Sequence, residues 1–160
     1  MTHEYKASIA WQRGATEAFT DLKFSRAHQW SFDGGITVPG SSSPWSVRVP
    51  YSRAEAIDPE EALVAALASC HMLTFLYLAA KQGLVVDQYA DEAVGVMTKN
   101  AGGKLFVSRV VLRPRITFSG AKQPSAAQLG ELHHHAHADC YIANSVLTEV
   151  VVEAVPASRQ

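Results

Sequence analysis

The sequence has few cysteines, almost no net charge and no export signal. Fourteen Lys and Arg residues oppose fifteen Asp and Glu residues, which gives a net charge of −1 at pH 7. This balance lacks the positive charge that attracts phosphate backbones, so we do not expect nucleic acid as a partner. The N-terminus shows no basic start followed by an apolar run and a small-residue cleavage site. We therefore expect a cytoplasmic location.

The sequence contains two cysteines, Cys70 and Cys140. In the reducing cytoplasm we do not expect a permanent structural disulfide between them. Two thiols in such a chain are more often inert core residues, a redox pair or metal ligands. Taken singly, each cysteine is best explained as a structural residue, and their separation along the chain says nothing about their distance.

The length and hydrophobic content predict a single domain over residues 1–160. Hydrophobic residues make up 48% of the chain and charged residues 18%, which is enough for one core and too little for two ordinary domains. The apolar run over residues 62–80 is long enough to cross a bilayer. Polar residues between Ser69 and Thr74 occupy its middle, where lipid makes them most costly. We therefore predict a buried core helix and no membrane partner.

The N-terminal third predicts a β-meander over residues 4–50. Apolar residues alternate between Tyr5 and Trp11, which is the period of a half-buried strand. A second strand, an Asp-Gly-Gly turn and a third strand follow over residues 24–38. Two prolines and a serine-rich stretch then predict a long loop, with one short strand near residues 47–49.

The central helix is predicted over residues 58–82. Asp58 can cap free N–H groups, Pro59 fits the first helical position, and the glutamates that follow favour the positive end of the helix dipole. Gly83 is expected to end the helix. Because the helix is apolar on nearly every face, we expect a sheet, another helix or a second subunit to cover it.

The second half of the chain predicts a hairpin, a helix and a strand. Residues 85–118 are rich in β-branched side chains and are divided by an Asn-Ala-Gly-Gly turn at residues 100–103. A capping box that begins at Ser125 opens a helix over residues 125–139, and a final strand is expected over residues 146–155. The order of elements predicts an α+β fold with a mainly antiparallel sheet.

Four of the seven histidines fall within residues 133–137. His133 and His137 share a helix face, and Cys140 lies three residues further on, a spacing that suits a transition metal. No His-Glu-x-x-His motif accompanies them. A polar helix face is the commoner explanation of such a cluster, so both interpretations stay open.

The segment from Asp58 to Cys70 resembles the signature of the OsmC/Ohr family, the osmotically inducible and organic hydroperoxide resistance proteins. Its sequence, Asp-Pro-Glu-Glu-Ala-Leu-Val-Ala-Ala-Leu-Ala-Ser-Cys, is similar to Asn-Pro-Glu-x-Leu-x-Ala-Ala-x-x-x-x-Cys, with the same spacing of ten residues from Glu60 to Cys70. The second cysteine of the family falls on Cys140. Its arginine falls on Arg26, ahead of an Asp-Gly turn.

The resemblance implies an intertwined homodimer in which antiparallel sheets surround a long central helix, with the site between subunits. It also implies thiol-dependent reduction of organic hydroperoxides, with hydrogen peroxide as a further candidate substrate. Cys70 would become a sulfenic acid and Cys140 would then form a disulfide with it. An external dithiol, such as a dihydrolipoyl group or small thiols, would reduce the disulfide without any bound cofactor. Arg26 would favour the Cys70 thiolate, and Glu60 would hold Arg26.

Two local features qualify this assignment. Within one unbroken helix, Glu60 and Cys70 are separated by a rise of about 15 Å, too far for one Arg side chain to bridge comfortably. Either the helix begins after Glu60, or the glutamate serves the partner's cysteine. His71 stands where the hydroperoxide resistance branch usually has an aromatic residue, so it is a candidate for assisting proton transfer or for making the pocket polar.

Two other functions remain as alternatives. A non-enzymatic module of the same fold would bind a small ligand or a transition metal through Cys140, His133 and His137. A Cys–His acyl hydrolase is the weaker alternative, because His71 points about 100° away from Cys70 around a helix.

Overall fold

The computed structural model of the protein describes residues 2–154. The chain divides into two compact units, Met1–Ala62 and Leu63–Gln160. Strands are antiparallel except for one parallel pair, and two helices accompany them. The predicted α+β class with mainly antiparallel pairing is confirmed.

The first unit contains the predicted meander. Its three strands are β1 (Ala7–Ala10), β2 (His28–Phe32) and β3 (Thr37–Gly40), which pair in the order β1-β2-β3. A side chain at Gly40 would place its Cβ 2.5 Å from Trp30 Nε1 and 2.6 Å from His28 Nε2. Only glycine therefore lets β3 approach the His28–Trp30 pair this closely.

The predicted short strand at residues 47–49 is wrong, because this segment forms turns. The backbone N–H groups of Ser46 and Val47 both donate to the carbonyl oxygen of Ser43, at 3.0 Å each. Donors used in a local turn are not available to a strand ladder.

Helix α1 spans Pro59–Lys81, close to its predicted bounds. Asp58 Oδ1 accepts a hydrogen bond from the Glu61 backbone N–H at 2.8 Å, as expected of an N-cap. Gly83 has a φ of +69°, and the next N–H donates back to the carbonyl oxygen of Ala79 at 3.0 Å. A left-handed glycine just beyond the last turn is the common way to end a helix.

One stripe of α1 is buried, and its other faces are not. The buried residues recur every fourth position, which follows one line along a helix; they are Leu67, His71, Phe75 and Ala79. Leu73 is 60% exposed and Tyr77 62% exposed. A single chain therefore leaves much of α1 uncovered. By length and composition alone, the helix is also long and apolar enough to span a membrane.

The predicted long hairpin folds as two ladders in the second unit. Strand β4 (Val85–Asp91) pairs with β7 (Pro114–Ser119), while β5 (Val94–Lys99) pairs with β6 (Leu105–Leu112). The break occurs where the Arg113 N–H donates to Asp91 Oδ1 at 2.7 Å instead of to a strand partner.

Helix α2 spans Ala126–Ala138 and begins with the predicted capping box. Gln128 N–H donates to Ser125 Oγ at 3.2 Å, and Ser125 N–H donates to Gln128 Oε1 at 2.9 Å. A short 3-10 helix at Ala143–Ser145 leads to β8 (Glu149–Val152), which pairs in parallel with β6. The final strand is shorter than predicted, and residue 155 lies outside the described residues.

Helix α1 separates two apolar clusters of the second unit. Its C-terminal half packs on β4, β7 and α2; the buried members are Phe75, Ala79, Leu84, Ile116, Leu132 and Ala136. Its N-terminal half packs on the other sheet; the buried members are Leu67, Val110 and Leu112. Each fully buried large apolar side chain contributes about 1.5–3 kcal/mol. His71 lies on the same stripe, between Leu67 and Phe75.

Candidate functional site

The two cysteines meet in the second unit, and both are free thiols. Cys70 is half-buried on α1, whereas Cys140, just beyond the end of α2, is 1% exposed. The Cys70 thiol lies close enough to Cys140 to contribute to the raised pKa of that residue. The sequence left their distance undetermined, and the fold brings them together.

The backbone around Cys140 holds its sulfur in place. The Cys140 N–H donates to the carbonyl oxygen of His137 at 3.3 Å, which ties the residue to the last turn of α2. Ala143 N–H points at Cys140 Sγ, 3.4 Å away. Asn144 Nδ2 donates to the carbonyl oxygens of Ala138 at 2.8 Å and Cys140 at 2.9 Å. The position of Cys140 is therefore set by the position of α2.

Burial raises the pKa of the Cys140 thiol to about 11. The hydrogen bond and the charge of Cys70 act in the same direction, while the N–H groups of Ile142 and Ala143 oppose them. Cys140 therefore remains protonated at neutral pH while the protein is reduced. A protonated thiol is a poor nucleophile, so the more accessible Cys70 is the better candidate for first attack.

A pair of buried histidines lies beside the cysteine-bearing helices. His71 Nε2 and His133 Nδ1 are 3.0 Å apart, and the two rings are nearly parallel, with an interplanar angle of 8° and centroids 5.4 Å apart. The Phe75 ring stacks on His133, at 4.6 Å between centroids. Burial lowers the pKa of each histidine to about 4, and for His71 the neighbouring His133 and His137 add to the effect. Both rings are thus neutral at pH 7.

The histidine cluster does not form the metal site that its spacing allows. Cys140 lies near Cys70, and His133 bonds to His71. The surface-facing His135 lies 3.9 Å from Glu131. Within residues 2–154, no group of three His, Cys, Asp or Glu side chains is arranged to hold a metal ion. The hypothesis of a site at Cys140, His133 and His137 therefore has no support in the geometry.

Arg26 and Glu60 line one cavity in the first unit. The cavity has a volume of about 360 Å³. Its walls are aromatic and apolar on one part and polar on another; they include Ile9, Trp11, Phe24, His28, Ser41, Ser42, Ser43, Ser46 and Pro59. Such a mixed cavity suits a small ligand with a polar head and an apolar body.

Arg26 is held by its own segment and not by Glu60. Its guanidinium lies 3.7 Å from the centroid of the Phe24 ring and donates to the carbonyl oxygens of Leu22, at 2.8 Å, and Phe24. Across the described part of the chain, no ion pair between Arg26 and Glu60 is formed. The two predicted partners share a cavity, but the pairing itself stays a prediction.

His28 supports the backbone of Arg26, a role that the sequence analysis did not anticipate. The Trp30 indole N–H donates to His28 Nε2 at 2.6 Å, so the proton of the neutral ring lies on Nδ1. Nδ1 then donates to the Arg26 carbonyl oxygen at 2.7 Å. The spacing of His28 and Trp30 on a strand, which places both on one face, is the sequence signal for this contact.

The first residue of α1 bears on how Glu60 is placed relative to a cysteine. Because α1 begins at Pro59, Glu60 lies inside the helix, and the alternative in which the helix begins after Glu60 is wrong. The other alternative, in which Glu60 serves a partner's cysteine, stays a prediction.

Comparison with known proteins gives one family. The sequence profile of the family described as OsmC-like protein matches residues 52–155. An OsmC-like protein of unknown function from Vibrio cholerae is 53% identical, with a TM-score of 0.94 over 96% of this chain and 100% of the other. No protein of curated function matches the sequence.

More distant solved structures share the fold. An organic hydroperoxide resistance protein from Legionella pneumophila is 15% identical, with a TM-score of 0.67 and 96% of each chain covered. The organic hydroperoxide resistance protein OhrB of Bacillus subtilis is 18% identical, with a TM-score of 0.65 over 96% of this chain and 98% of the other.

Proposed function

Because the chain belongs to the OsmC-like protein family, we propose that it is a cysteine-dependent peroxidase that reduces organic hydroperoxides. Hydrogen peroxide is the second candidate substrate. The observation that carries the proposal is the proximity of two free thiols, the half-buried Cys70 and the buried Cys140. The names of the Legionella and Bacillus relatives support a role in peroxide resistance.

The proposed reaction has two steps at sulfur. The Cys70 thiolate attacks the distal oxygen of the peroxide, the O–O bond breaks, and the alcohol leaves with a proton. Cys70 is then a sulfenic acid. The Cys140 sulfur attacks the Cys70 sulfur, the S–O bond breaks, and hydroxide leaves as water with the Cys140 proton. An external dithiol, such as a dihydrolipoyl group or small thiols, reduces the disulfide by exchange, so no bound cofactor is required.

The exposure of the two thiols supports this order of events. Cys70 is half-buried and Cys140 is 1% exposed, so a peroxide meets Cys70 first. The high pKa of Cys140 keeps it protonated during the first step. The proximity of the two thiols then favours the second step.

Arg26 and Glu60 are the proposed activating residues. A guanidinium favours the thiolate electrostatically and can donate to the peroxide oxygen, and a carboxylate can hold it in place through two hydrogen bonds. Their shared cavity supports a joint role. Since Glu60 lies inside α1, its distance along the helix from Cys70 favours action on the Cys70 of a second copy.

A homodimer would also cover the exposed faces of α1. Leu73 and Tyr77 remain largely exposed in the single chain, although this helix is apolar throughout. Exposed apolar surface of this kind is typical of an interface. We expect Leu73→Glu to convert a dimer into a monomer in size-exclusion chromatography with light scattering, while the exposed control Gln123→Glu leaves it dimeric.

The decisive experiment is one turnover of the fully reduced protein. One equivalent of cumene hydroperoxide, and separately of hydrogen peroxide, should remove both free thiols and lower the intact mass by about two mass units. Peptide mapping should identify a Cys70–Cys140 disulfide. Persistence of both thiols for many minutes with either peroxide would overturn the proposal.

A further inference from the structure

A buried histidine pair joins the two helices that present the cysteines. His71 directly follows Cys70 on α1, and His133 lies on α2, whose end carries Cys140. The rings are 1% and 5% exposed, and their facing nitrogens are 3.0 Å apart. The pair is not placed to serve as the adjacent base for Cys70, since His71 lies on the buried stripe of α1 and its Nε2 faces His133.

This contact differs in kind from the rest of the packing between α1 and α2. Within residues 2–154 it is the side-chain hydrogen bond that links the two helices, and the other contacts are apolar ones around Phe75 and Leu132. Apolar contacts favour burial without specifying direction. A hydrogen bond between two planar rings fixes both a distance and an angle.

Burying this histidine pair carries a desolvation cost. Each neutral ring has one donor and one acceptor, so a single hydrogen bond between the rings leaves one nitrogen of each ring without a partner. His71 Nδ1 and His133 Nε2 are buried and have no protein hydrogen-bond partner. Apolar side chains of similar volume would avoid that desolvation cost. Stability alone therefore does not account for two histidines at these positions.

The position of α2 is transmitted directly to the Cys140 sulfur. Cys140 N–H is bonded to the last turn of α2, and Asn144 clamps the carbonyl oxygens of Ala138 and Cys140. Formation of a disulfide requires the two sulfurs to approach to about 2 Å with a defined torsion. A shift of α2 along α1 would therefore slow the second step of the reaction without altering the first.

We propose that His71 and His133 are positioning residues that hold α2 against α1 so that Cys140 can attack oxidised Cys70. This inference rests on the proposed function for its role, but its geometry can be tested without peroxide. Within residues 2–154 the two histidines hydrogen-bond to each other and to neither cysteine sulfur. Their effect is confined to the step in which the Cys70–Cys140 bond forms.

The test uses pairs of amides that differ in where they place their polar atoms. At position 133, Asn puts an amide atom where His133 Nδ1 lies, whereas Gln puts it where Nε2 lies. At position 71 the relation is reversed, because the bonded atom is Nε2. His133→Asn and His71→Gln should therefore keep the bond, while His133→Gln and His71→Asn should lose it. His134→Asn, on the exposed side of α2, is the control.

The second step is measured with the aromatic disulfide reagent DTNB. Cys70 attacks the reagent and releases a first thionitrobenzoate, and Cys140 then attacks the mixed disulfide and releases a second. We expect the bond-losing variants to slow the second release about five- to tenfold, with less than about a twofold change in the first. The bond-keeping variants and the control should match the native protein. Circular dichroism and thermal unfolding identify any variant that is not folded.

The same variants are then oxidised with cumene hydroperoxide in a Cys140→Ser background, which isolates the first step. Unchanged sulfenic acid formation is expected in all of them. Equal behaviour of Asn and Gln at position 133, or equal slowing of both DTNB phases, would overturn the positioning role. Failure of the native protein to react with peroxide, with DTNB phases as expected, would instead overturn the proposed function.

Discussion

The thiol region of the second unit and the Arg26 cavity of the first unit differ in how their polar groups are partnered. In the thiol region, formed by the two cysteines and the two buried histidines, Cys140 lies near Cys70 and His71 bonds to His133. In the cavity, the Arg26 guanidinium is held by Phe24 and by backbone carbonyl groups, and the Glu60 carboxylate forms no ion pair with it. The histidines of the thiol region are bonded to each other, whereas the predicted Arg26–Glu60 pair is not formed in the single chain.

The two steps of the proposed reaction therefore depend on different regions of the molecule. Disulfide formation depends on groups whose mutual positions are already fixed by α1, α2 and the turn after α2. In the proposed reaction, activation of the first attack depends on Arg26 and Glu60, whose pairing would be completed by substrate or by a second copy of the chain. Variants in the thiol region should therefore change the fate of oxidised Cys70, and variants in the cavity should change how fast it is formed.

The largest expected effect is that of Cys70→Ser. A hydroxyl in place of the thiolate is not nucleophilic enough to cleave the O–O bond, so peroxide consumption should fall to background. A coupled assay with dihydrolipoamide and cumene hydroperoxide measures the loss. Full activity in this variant would contradict Cys70 as the nucleophile.

Cys140→Ser should affect recycling and leave the first attack intact. One equivalent of peroxide should oxidise Cys70, and the sulfenic acid should be trapped by dimedone because no second thiol resolves it. Sustained turnover should fall by at least about a hundredfold with a dithiol reductant, since an external thiol must replace a neighbouring one. Turnover equal to that of the native protein would show that Cys140 is not the resolving thiol.

Substitution of Arg26 should slow the first step only. Arg26→Gln removes the positive charge, and we expect the rate of Cys70 oxidation to fall about tenfold or more. Arg26→Lys keeps the charge but not the planar donor set, and should lie between Arg26→Gln and the native protein. Stopped-flow measurement of thiol loss gives these rates, and the second DTNB release serves as the control that should not change.

The resolving step should accelerate with pH because Cys140 is protonated at neutral pH. Its pKa of about 11 means that the thiolate fraction rises about tenfold per pH unit between pH 7 and 10. The rate of the second DTNB release should follow this slope. A rate that is flat over this range would contradict the raised pKa, or would place the rate-limiting event in a movement of α2.

Much of this arrangement could be predicted from local sequence signals. Asp58, Pro59 and Gly83 fix the bounds of α1, and Ser125 with Gln128 fixes the start of α2, because caps depend on a few adjacent residues. The division of the hairpin into two ladders could not be predicted in this way, since it depends on a hydrogen bond between the Arg113 N–H and the side chain of Asp91.

The site was predictable to a smaller extent. The family signature identifies Cys70 and Glu60, but the meeting of Cys70 with Cys140 depends on how α2 packs, which no local pattern specifies. The place of His71 after Cys70 marks it as a candidate site residue, but no local pattern indicates its bond to His133. The four-residue spacing that places His71 on the buried stripe was visible in the sequence, whereas its partner was determined by tertiary packing.

The smallest expected effect is on the pH dependence of the free energy of unfolding, which should change when the buried histidines are replaced and stay the same when an exposed histidine is replaced. His71 and His133 have pKa values near 4 in the folded protein and near 6.5 when unfolded, so between these pH values only the unfolded chain binds their protons. The free energy of unfolding should therefore fall as pH decreases from 6.5 to 4, by at most about 1.4 kcal/mol per pH unit per histidine. The double variant His71→Gln/His133→Asn retains a hydrogen bond but cannot titrate, so its urea unfolding should depend less on pH. His134→Asn should leave the native dependence in place, and equal curves for the native protein and the double variant would show that the buried pair does not resist protonation.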